Sequence, residues 1–192
     1  MPRIDCFKFY ENNLLEFGAN AKGVGWSSEQ NQQIRFEIIY SFLEKFSNIS
    51  IVDAGCGFGD FYQFLNSKDF LCNYIGIDKQ LDFINIAKSR YGSKFLYLNI
   101  LENRLLEADF FVASGSLNLL LEDETYQFIE KCFNHSKKGF IFNLLKKNNK
   151  YTSHHFNYQE PHKIASFCKQ FTKKIEYIEG YIKHDFTIAM FK

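Results

Sequence analysis

The sequence predicts an α/β fold, a three-layer sandwich around a seven-stranded, mostly parallel sheet. Strand-like and helix-like patterns alternate along most of the chain, as expected for parallel strands covered by helices on both faces. At 49–61 a β-branched apolar run leads into a glycine-rich turn, and apolar residues then resume at helical spacing. Two closely connected strand patterns end the chain, which indicates an antiparallel hairpin.

Length and composition favour one domain. The chain has 192 residues, 46% of them apolar, which is enough for a full core. We divide this single domain, 1–192, into an N-terminal helical lid over 1–47 and a ligand-binding core over 48–192. Five cysteines lie scattered without a C-x-x-C pair, and there is neither an apolar signal region nor a run near the ~20 residues of a membrane span. We therefore expect a cytoplasmic protein that does not contact membranes.

Charge is unevenly distributed. The net charge is +1, yet residues 131–192 contain 12 lysines against four acidic residues. A basic segment could attract nucleic acid or an anionic substrate. These lysines alternate with apolar residues of core type, and no arginine, the usual bidentate ligand of phosphate, lies among them. This pattern disfavours nucleic acid and leaves a small molecule as the expected substrate.

The lid is predicted to contain two helices. The first covers 7–17 and ends at Gly18. Ser28 lies in a run suited to cap the second helix, which carries apolar residues at helical spacing as far as 46. Between them lies a glycine-containing loop that ends at Trp26, the only tryptophan.

The glycine turn predicts a nucleotide-type ligand. Gly55, Gly57 and Gly59 alternate after Asp53, and such glycines permit positive φ and close approach of a ligand to the main chain. The dinucleotide pattern G-x-G-x-x-G would need glycine at Asp60, and no G-K-[ST] of a Walker loop follows. A carboxylate at this helix start would repel a pyrophosphate but could attract an ammonium group.

The remaining patterns continue the alternation. After a helix that begins at Asp60, a second strand ends on Asp78, and the third strand ends on Asn99. The elements predicted from the second strand onward are a strand at 73–78, a helix at 82–91, strands at 94–99 and 108–113, a helix at 122–135 followed by Gly139, a strand at 140–145, a helix at 161–171, and strands at 174–182 and 186–191.

With its pattern D-x-G-x-G-x-G at 53–59, the chain resembles the class I S-adenosylmethionine (SAM) dependent methyltransferases. The resemblance implies a Rossmann-like sheet that ends in an antiparallel hairpin, with SAM as cofactor and S-adenosylhomocysteine (SAH) as product. It places SAM against Asp53, Gly55, Cys56, Gly57, Gly59 and Asp60. Asp78, beside Lys79, would accept hydrogen bonds from the ribose hydroxyls, although it could instead cap the next helix. Asn99 stands where an acid commonly binds the adenine amine, and Ile100 would lie against the adenine ring.

Three further runs resemble one small subfamily whose substrate we do not know. They are G-V-G-W with Arg35 nine residues after its tryptophan, A-S-G-x-x-N at 113–118, and Y-x-x-x-D-F-T-I at 181–188. Trp26 would line the cofactor pocket, or simply pack under its loop. Arg35 would bind the methionine carboxylate, or lie on a solvated helix face. Ser114 and Gly115 would face the transferring methyl group.

Few residues are candidates for acid–base or metal chemistry. His154, His155 and Tyr158 fall in the loop after the fifth strand, where a histidine could act as general base. The histidines lack the spacing of H-E-x-x-H and have no cysteine at zinc spacing, so we expect no metal. With Pro only at positions 2 and 161, the chain lacks [DNS]-P-P-[YF] and Pro-Cys, which disfavours methylation of nucleic acid bases.

These observations favour SAM-dependent methyl transfer to an unidentified acceptor, with a small molecule as the expected class. Two alternatives stay open. The first is a non-catalytic module that binds SAM or a partner, because a binding cradle alone does not establish catalysis. The second is an NAD-dependent oxidoreductase, which would share the ribose contact of Asp78 but not the glycine spacing.

Overall fold

The computed structural model describes residues 5–147 and 156–192. Helices and strands alternate through most of these ranges. The helices are α1 (Cys6–Phe17), α2 (Glu29–Leu43), α3 (Asp60–Ser67), α4 (Leu81–Tyr91), α5 (Glu122–His135) and α6 (Pro161–Cys168). The strands are β1 (Ser50–Ala54), β2 (Asn73–Asp78), β3 (Phe95–Tyr97), β4 (Ala108–Ala113), β5 (Ser136–Lys146), β6 (Tyr158–Gln159), β7 (Lys174–Glu179) and β8 (Asp185–Phe191).

The strands form one sheet in the order β3-β2-β1-β4-β5-β8-β7. Strands β1 to β5 run parallel, and β8 lies antiparallel between β5 and β7. The predicted fold class, including the closing hairpin, is confirmed. The strand count was wrong by one, because β6 pairs with Leu145 and Lys146 of β5 as an eighth strand. A two-residue strand has no alternation to detect, so the sequence placed Tyr158 in a loop.

Apolar side chains cover both faces of the sheet. Successive residues of a strand point to opposite faces, and Phe110 and Phe111 of β4 accordingly belong to different buried clusters. Phe111 packs in the cluster of α5 and α6, which includes Ile129 and Ile164. Phe110 packs in the cluster of α2 and α3, which includes Phe36. The sheet is therefore the middle layer of three.

The position that we predicted for Gly139 was wrong. We expected it to lie between helix 122–135 and the next strand, whereas β5 begins directly after α5, at Ser136, and contains this glycine. A Cβ at Gly139 would lie 2.3 Å from the carbonyl oxygen of Met190 in β8. The glycine therefore permits close approach of two strands. Within 5–147 and 156–192, every helix is too short or too polar to cross a bilayer.

Candidate functional site

A cavity of about 440 Å³ lies where β1, β2 and β4 end. Side chains from α1, from the loop before α2 and from α2 itself enclose it from the other side. In sheets of this topology, ligands bind outside the carboxyl ends of the parallel strands, where the strand order reverses. β1 lies at that reversal, between β2 and β4.

The structure brings most of the predicted site residues together. Gly59 does not line the cavity and instead occupies the N-cap position of α3. His154 and His155 lie outside the described residues. The remaining predicted residues line the cavity: Trp26, Arg35, Asp53, Gly55, Cys56, Gly57, Asp60, Asp78, Lys79, Asn99, Ile100, Ser114, Gly115 and Tyr158.

The glycine turn is held in a shape that other residues would adopt only with strain. Gly55 and Gly57 have φ of 89° and 55°, in the range that favours glycine. The backbone N–H groups of Gly55 and Cys56 donate to the carbonyl of Ile77, at 2.7 and 3.0 Å. A Cβ on Gly55 would lie 2.2 Å from Cβ of Ser116. We expected these glycines to make room for a ligand, and Gly55 also makes room for the loop after β4.

Asp78 links β2 to the glycine turn. Its Oδ2 accepts the N–H of Gly57 at 2.9 Å, and its Oδ1 accepts the N–H of Gln80, the N-cap residue of α4, also at 2.9 Å. Burial raises the pKa of the Asp78 carboxyl. The carboxylate thus serves the start of α4, as the alternative interpretation held, and also faces the cavity.

Two more carboxyl groups lie around the same turn. Asp53 accepts a hydrogen bond from the hydroxyl of Tyr74 at 2.6 Å, and burial raises its pKa to about 7. Asp60 accepts from Nε2 of Gln32 at 2.9 Å, and burial raises its pKa as well. The charges of Asp78 and Asp60 add to the effect of burial on the Asp53 pKa, and a positively charged ligand would favour the ionised form of these carboxyl groups.

Arg35 is buried, with 7% of its surface exposed, so it does not lie on a solvated helix face. Its Nε and Nη2 both bind the carboxylate of Asp185, the latter at 2.6 Å. The guanidinium lies 4.4 Å from the ring centroid of Trp26. Nη1 makes no hydrogen bond with Asp185 and lies near Gly115. Trp26 is therefore a wall of the cavity, supported by Arg35.

Sequence reasoning missed the role of Asp185. We considered a ligand carboxylate as the partner of Arg35, because a buried guanidinium requires an anion. Asp185 stands 150 residues further along the chain, and no local spacing connects the two. Its place in the run Y-x-x-x-D-F-T-I was the available signal.

Buried polar atoms without a hydrogen-bond partner among the described residues lie in the loop after β4 and in β5. Oγ of Ser114 and Oδ1 of Asn118 are buried and have no hydrogen-bond partner among the described residues, and the same holds for Nδ2 of Asn143. Ser114 and Asn118 line the cavity. Because a buried polar atom without a partner costs about 1–3 kcal/mol, such atoms indicate a surface that binds a ligand.

Asn99 is partly engaged already. Its Oδ1 accepts the N–H of Leu101 at 3.0 Å, which closes a short turn after β3. A carbonyl oxygen has a second lone pair, so it can still accept from a ligand amine. Within the described residues, no group of three His, Cys, Asp or Glu side chains is arranged to hold a metal ion.

Comparison with known proteins finds relatives both among curated sequences and among solved structures. No family model matches the chain. The Mycobacterium tuberculosis protein Rv1506c, which has a provisional methyltransferase name, is 29% identical over 154 residues, covering 74% of this chain and 93% of the relative. Carboxy-S-adenosyl-L-methionine synthase of Campylobacter jejuni is 34% identical over 84 residues, which cover 43% of this chain and 33% of that protein.

Solved structures share the fold at low sequence identity. A SAM-dependent methyltransferase of Leishmania major superposes with a TM-score of 0.75 at 12% identity, covering 97% of this chain and 82% of that one. The N-methyltransferase NodS of Bradyrhizobium japonicum, solved with SAH, superposes with a TM-score of 0.72 at 14% identity, covering 96% and 97%. The chain therefore has the fold of SAM-dependent methyltransferases, and over 74% of its length it is similar in sequence to a protein with a methyltransferase name.

Proposed function

We propose that this protein binds SAM at the carboxyl edge of its sheet and transfers the methyl group to a small-molecule acceptor, leaving SAH. The observation that carries the proposal is the set of buried carboxyl groups around the glycine turn, Asp53, Asp60 and Asp78. SAM has a positive sulfonium and a positive ammonium group, which carboxylates attract. The pyrophosphate of NAD would lie at the start of α3, where the carboxylate of Asp60 would repel it.

The residues of the cavity fit the parts of SAM. Asp78 has lone pairs left for the ribose hydroxyls after its two backbone hydrogen bonds. Asn99 and Ile100 would contact the adenine. Nη1 of Arg35, beside Gly115, would bind the methionine carboxylate, with the guanidinium held in place by Asp185. Ser114 offers a buried hydroxyl without a partner among the described residues.

Bound SAM supplies a methyl group on a positively charged sulfur, which is an electrophile for nitrogen, oxygen, sulfur or carbon. The task of the protein is to exclude water and align the acceptor with that group, and alignment of this kind can contribute roughly 7–11 kcal/mol to lowering a barrier. In this proposal residues 1–192 form one domain. Residues 1–47 act as a lid over the core, 48–192, because Trp26 and Arg35 close the cavity.

A small acceptor is favoured by the enclosure of the cavity. Side chains of α1 and α2 form part of its lining, which suits a small molecule better than a nucleic acid duplex. Phe9 of α1 and Phe156, which both line the cavity, contact each other edge to face, with ring centroids 6.2 Å apart. His154 and His155 stay candidates for a general base, as does Tyr158, which lines the cavity.

The test is transfer of isotopically labelled methyl from SAM into a small-molecule metabolite extract. We expect label in that fraction with the unmodified protein and with Asp82→Ala, an exposed control. We expect loss of label with Asp78→Ala. SAM binding without transfer to any extract component would support the non-catalytic module instead, and absence of SAM binding would refute the proposal.

A further inference from the structure

Lys131 of α5, the first lysine of the basic segment 131–192, binds the main chain of a distant turn. It is half-buried, and its ammonium group donates to two carbonyls, that of Leu101 at 2.9 Å and that of Asn103 at 2.7 Å. Lys137, a few residues along the same segment, instead forms an exposed ion pair. Hydrogen bonds from a charged donor are stronger than those between neutral groups. Lys131 therefore links α5 to the turn that follows β3.

The turn that Lys131 holds forms part of the cavity wall. It comprises residues 98–103, and we call it the adenine turn because Asn99 would contact the adenine in the proposed function. Its first four residues line the cavity. The N–H of Leu98 donates to the carbonyl of Asp78 at 2.9 Å, which attaches the start of the turn to the last residue of β2. The adenine turn thus begins beside the proposed ribose ligand.

Hydrogen bonds within the adenine turn centre on Asn99. Its N–H donates to Oδ1 of Asn103 at 2.8 Å, and its carbonyl accepts the N–H of Asn103 at 2.9 Å. Its Oδ1 accepts the N–H of Leu101 at 3.0 Å. Leu101 and Asn103 are also the two residues whose carbonyls Lys131 binds. The position of Asn99 in the cavity wall therefore depends on Lys131.

A second residue of α5 supports the same region. Phe128 lies three residues before Lys131, and side chains three apart lie on the same face of a helix. Phe128 lines the cavity and belongs to the buried cluster that contains Ile100. One face of α5 thus contributes an aromatic ring to the cluster of Ile100 and an ammonium group to the main chain of the adenine turn.

We propose, on the basis of the function proposed above, that Lys131 is a positioning residue for the adenine of SAM and SAH. It holds the adenine turn in the shape that receives the base before the ligand arrives. A turn that is already ordered loses little conformational freedom on binding, so the ligand binds more tightly. Without the ammonium group the two carbonyls would bind water, and the turn would have to become ordered when the ligand binds.

The test is calorimetric titration of SAH into variants of Lys131. Lys131→Met keeps a long apolar side chain but removes the donor, and we expect it to weaken SAH binding about fivefold. Lys131→Arg keeps N–H donors and should largely retain SAH affinity. Lys137→Met, which removes an exposed lysine of the same segment, is the matched control and should bind SAH as the unmodified protein does. Unchanged SAH affinity in Lys131→Met would overturn the inference, as would equal losses in Lys131→Met and Lys131→Arg.

A second ligand separates positioning of the adenine from general support of the fold. S-ribosylhomocysteine is SAH without its adenine, and its affinity is measured by displacement of SAH. Lys131→Met should weaken S-ribosylhomocysteine far less than SAH, because the affected turn contacts the base. Asn103→Ala, which removes the side-chain oxygen that binds the N–H of Asn99, should give the same difference between the ligands, even if Lys131→Met does not fold. Equal losses for the two ligands would indicate a general structural role and overturn the inference.

These outcomes are distinct from failure of the proposed function. In each overturning result SAH still binds the unmodified protein, so SAM-dependent methyl transfer remains supported while the role of Lys131 is rejected. Absence of SAH binding to the unmodified protein, seen in the first titration, would refute both proposals.

Discussion

Arg35 and Asp185 form a two-point buried ion pair that joins α2 to the first residue of β8. Asp185 has 2% of its surface exposed, and Arg35 has 7%. The pair therefore links the lid to β8, the last strand along the chain. It also holds the guanidinium beneath the ring of Trp26, at the wall of the cavity.

Breaking this pair should destabilise the protein. Asp185→Asn leaves a buried guanidinium without its anion, which costs roughly 3–5 kcal/mol in such settings. The free energy of unfolding in urea measures this loss. The matched control is Glu179→Gln, which breaks the exposed pair with Lys146 and should change stability little. The double variant Arg35→Met, Asp185→Leu should be less destabilised than Asp185→Asn; equal or greater loss would contradict the argument from an uncompensated charge.

Asp78→Ala should weaken SAH binding at least tenfold, because charged hydrogen bonds of this kind are worth about 1.5–3 kcal/mol. Trp26 is the only tryptophan and lines the cavity, so its fluorescence can report the titration. The substitution also removes the acceptor for the N–H of Gly57, and a modest loss of thermal stability should accompany it. Asp82→Ala, an exposed acid of α4, is the control. Unchanged SAH affinity in Asp78→Ala would show that the ribose contact is misplaced.

Asp53 should make stability decrease with rising pH. Burial raises its pKa from 3.8 to about 7 in the folded protein. Between these values the unfolded chain ionises while the folded carboxyl keeps its proton, so the contribution to stability present below pH ~4 is lost as pH rises to ~7. The full shift corresponds to roughly 4 kcal/mol.

Asp53→Asn isolates this effect, because the other carboxyl groups with a raised pKa, Asp60 and Asp78, titrate in both proteins. Groups with lowered pKa, such as Asp109, act in the opposite direction and also cancel in the comparison. The quantity to measure is the difference in unfolding free energy between the two proteins from pH 4 to pH 8. As pH rises, the variant should become more stable relative to the unmodified protein. A pH-independent difference would mean that Asp53 is ionised throughout.

Gly55→Ala should be far more harmful than Gly180→Ala. Both glycines have φ of 89°, a range in which alanine is strained by about 1–2 kcal/mol. A Cβ at Gly180 meets no atom within 4 Å, whereas a Cβ at Gly55 would lie 2.2 Å from Cβ of Ser116. Overpacking adds about 1–3 kcal/mol at Gly55. Chemical denaturation of both variants measures the difference, and equal losses would show that the contact with Ser116 is unimportant.

Local signals allowed much of the fold to be predicted. The alternation of strand and helix patterns gave the order of elements, and the glycine turn gave the site because its strand, turn and helix are contiguous. The helix at 122–135 and the strand at 73–78 have the predicted bounds. These segments have clear periodicity.

Features that depend on distant contacts could not be predicted. The partner of Arg35 is 150 residues away, and Gly139 is explained only by the backbone of Met190 in another strand. β6 consists of Tyr158 and Gln159, too short to show a pattern. The unpaired oxygen of Asn118 likewise emerges only once the packing around it is known.

The most direct test of the account is thermal unfolding of the unmodified protein with SAH, with SAM and with NAD, each at the same concentration. A ligand present at a hundred times its Kd stabilises the folded state by about 2.7 kcal/mol. We expect SAM and SAH to raise the unfolding temperature and NAD to leave it unchanged, because the turn lacks the glycine spacing of the dinucleotide pattern and has Asp60 at the start of α3. Stabilisation by NAD with none by SAM or SAH would contradict the account.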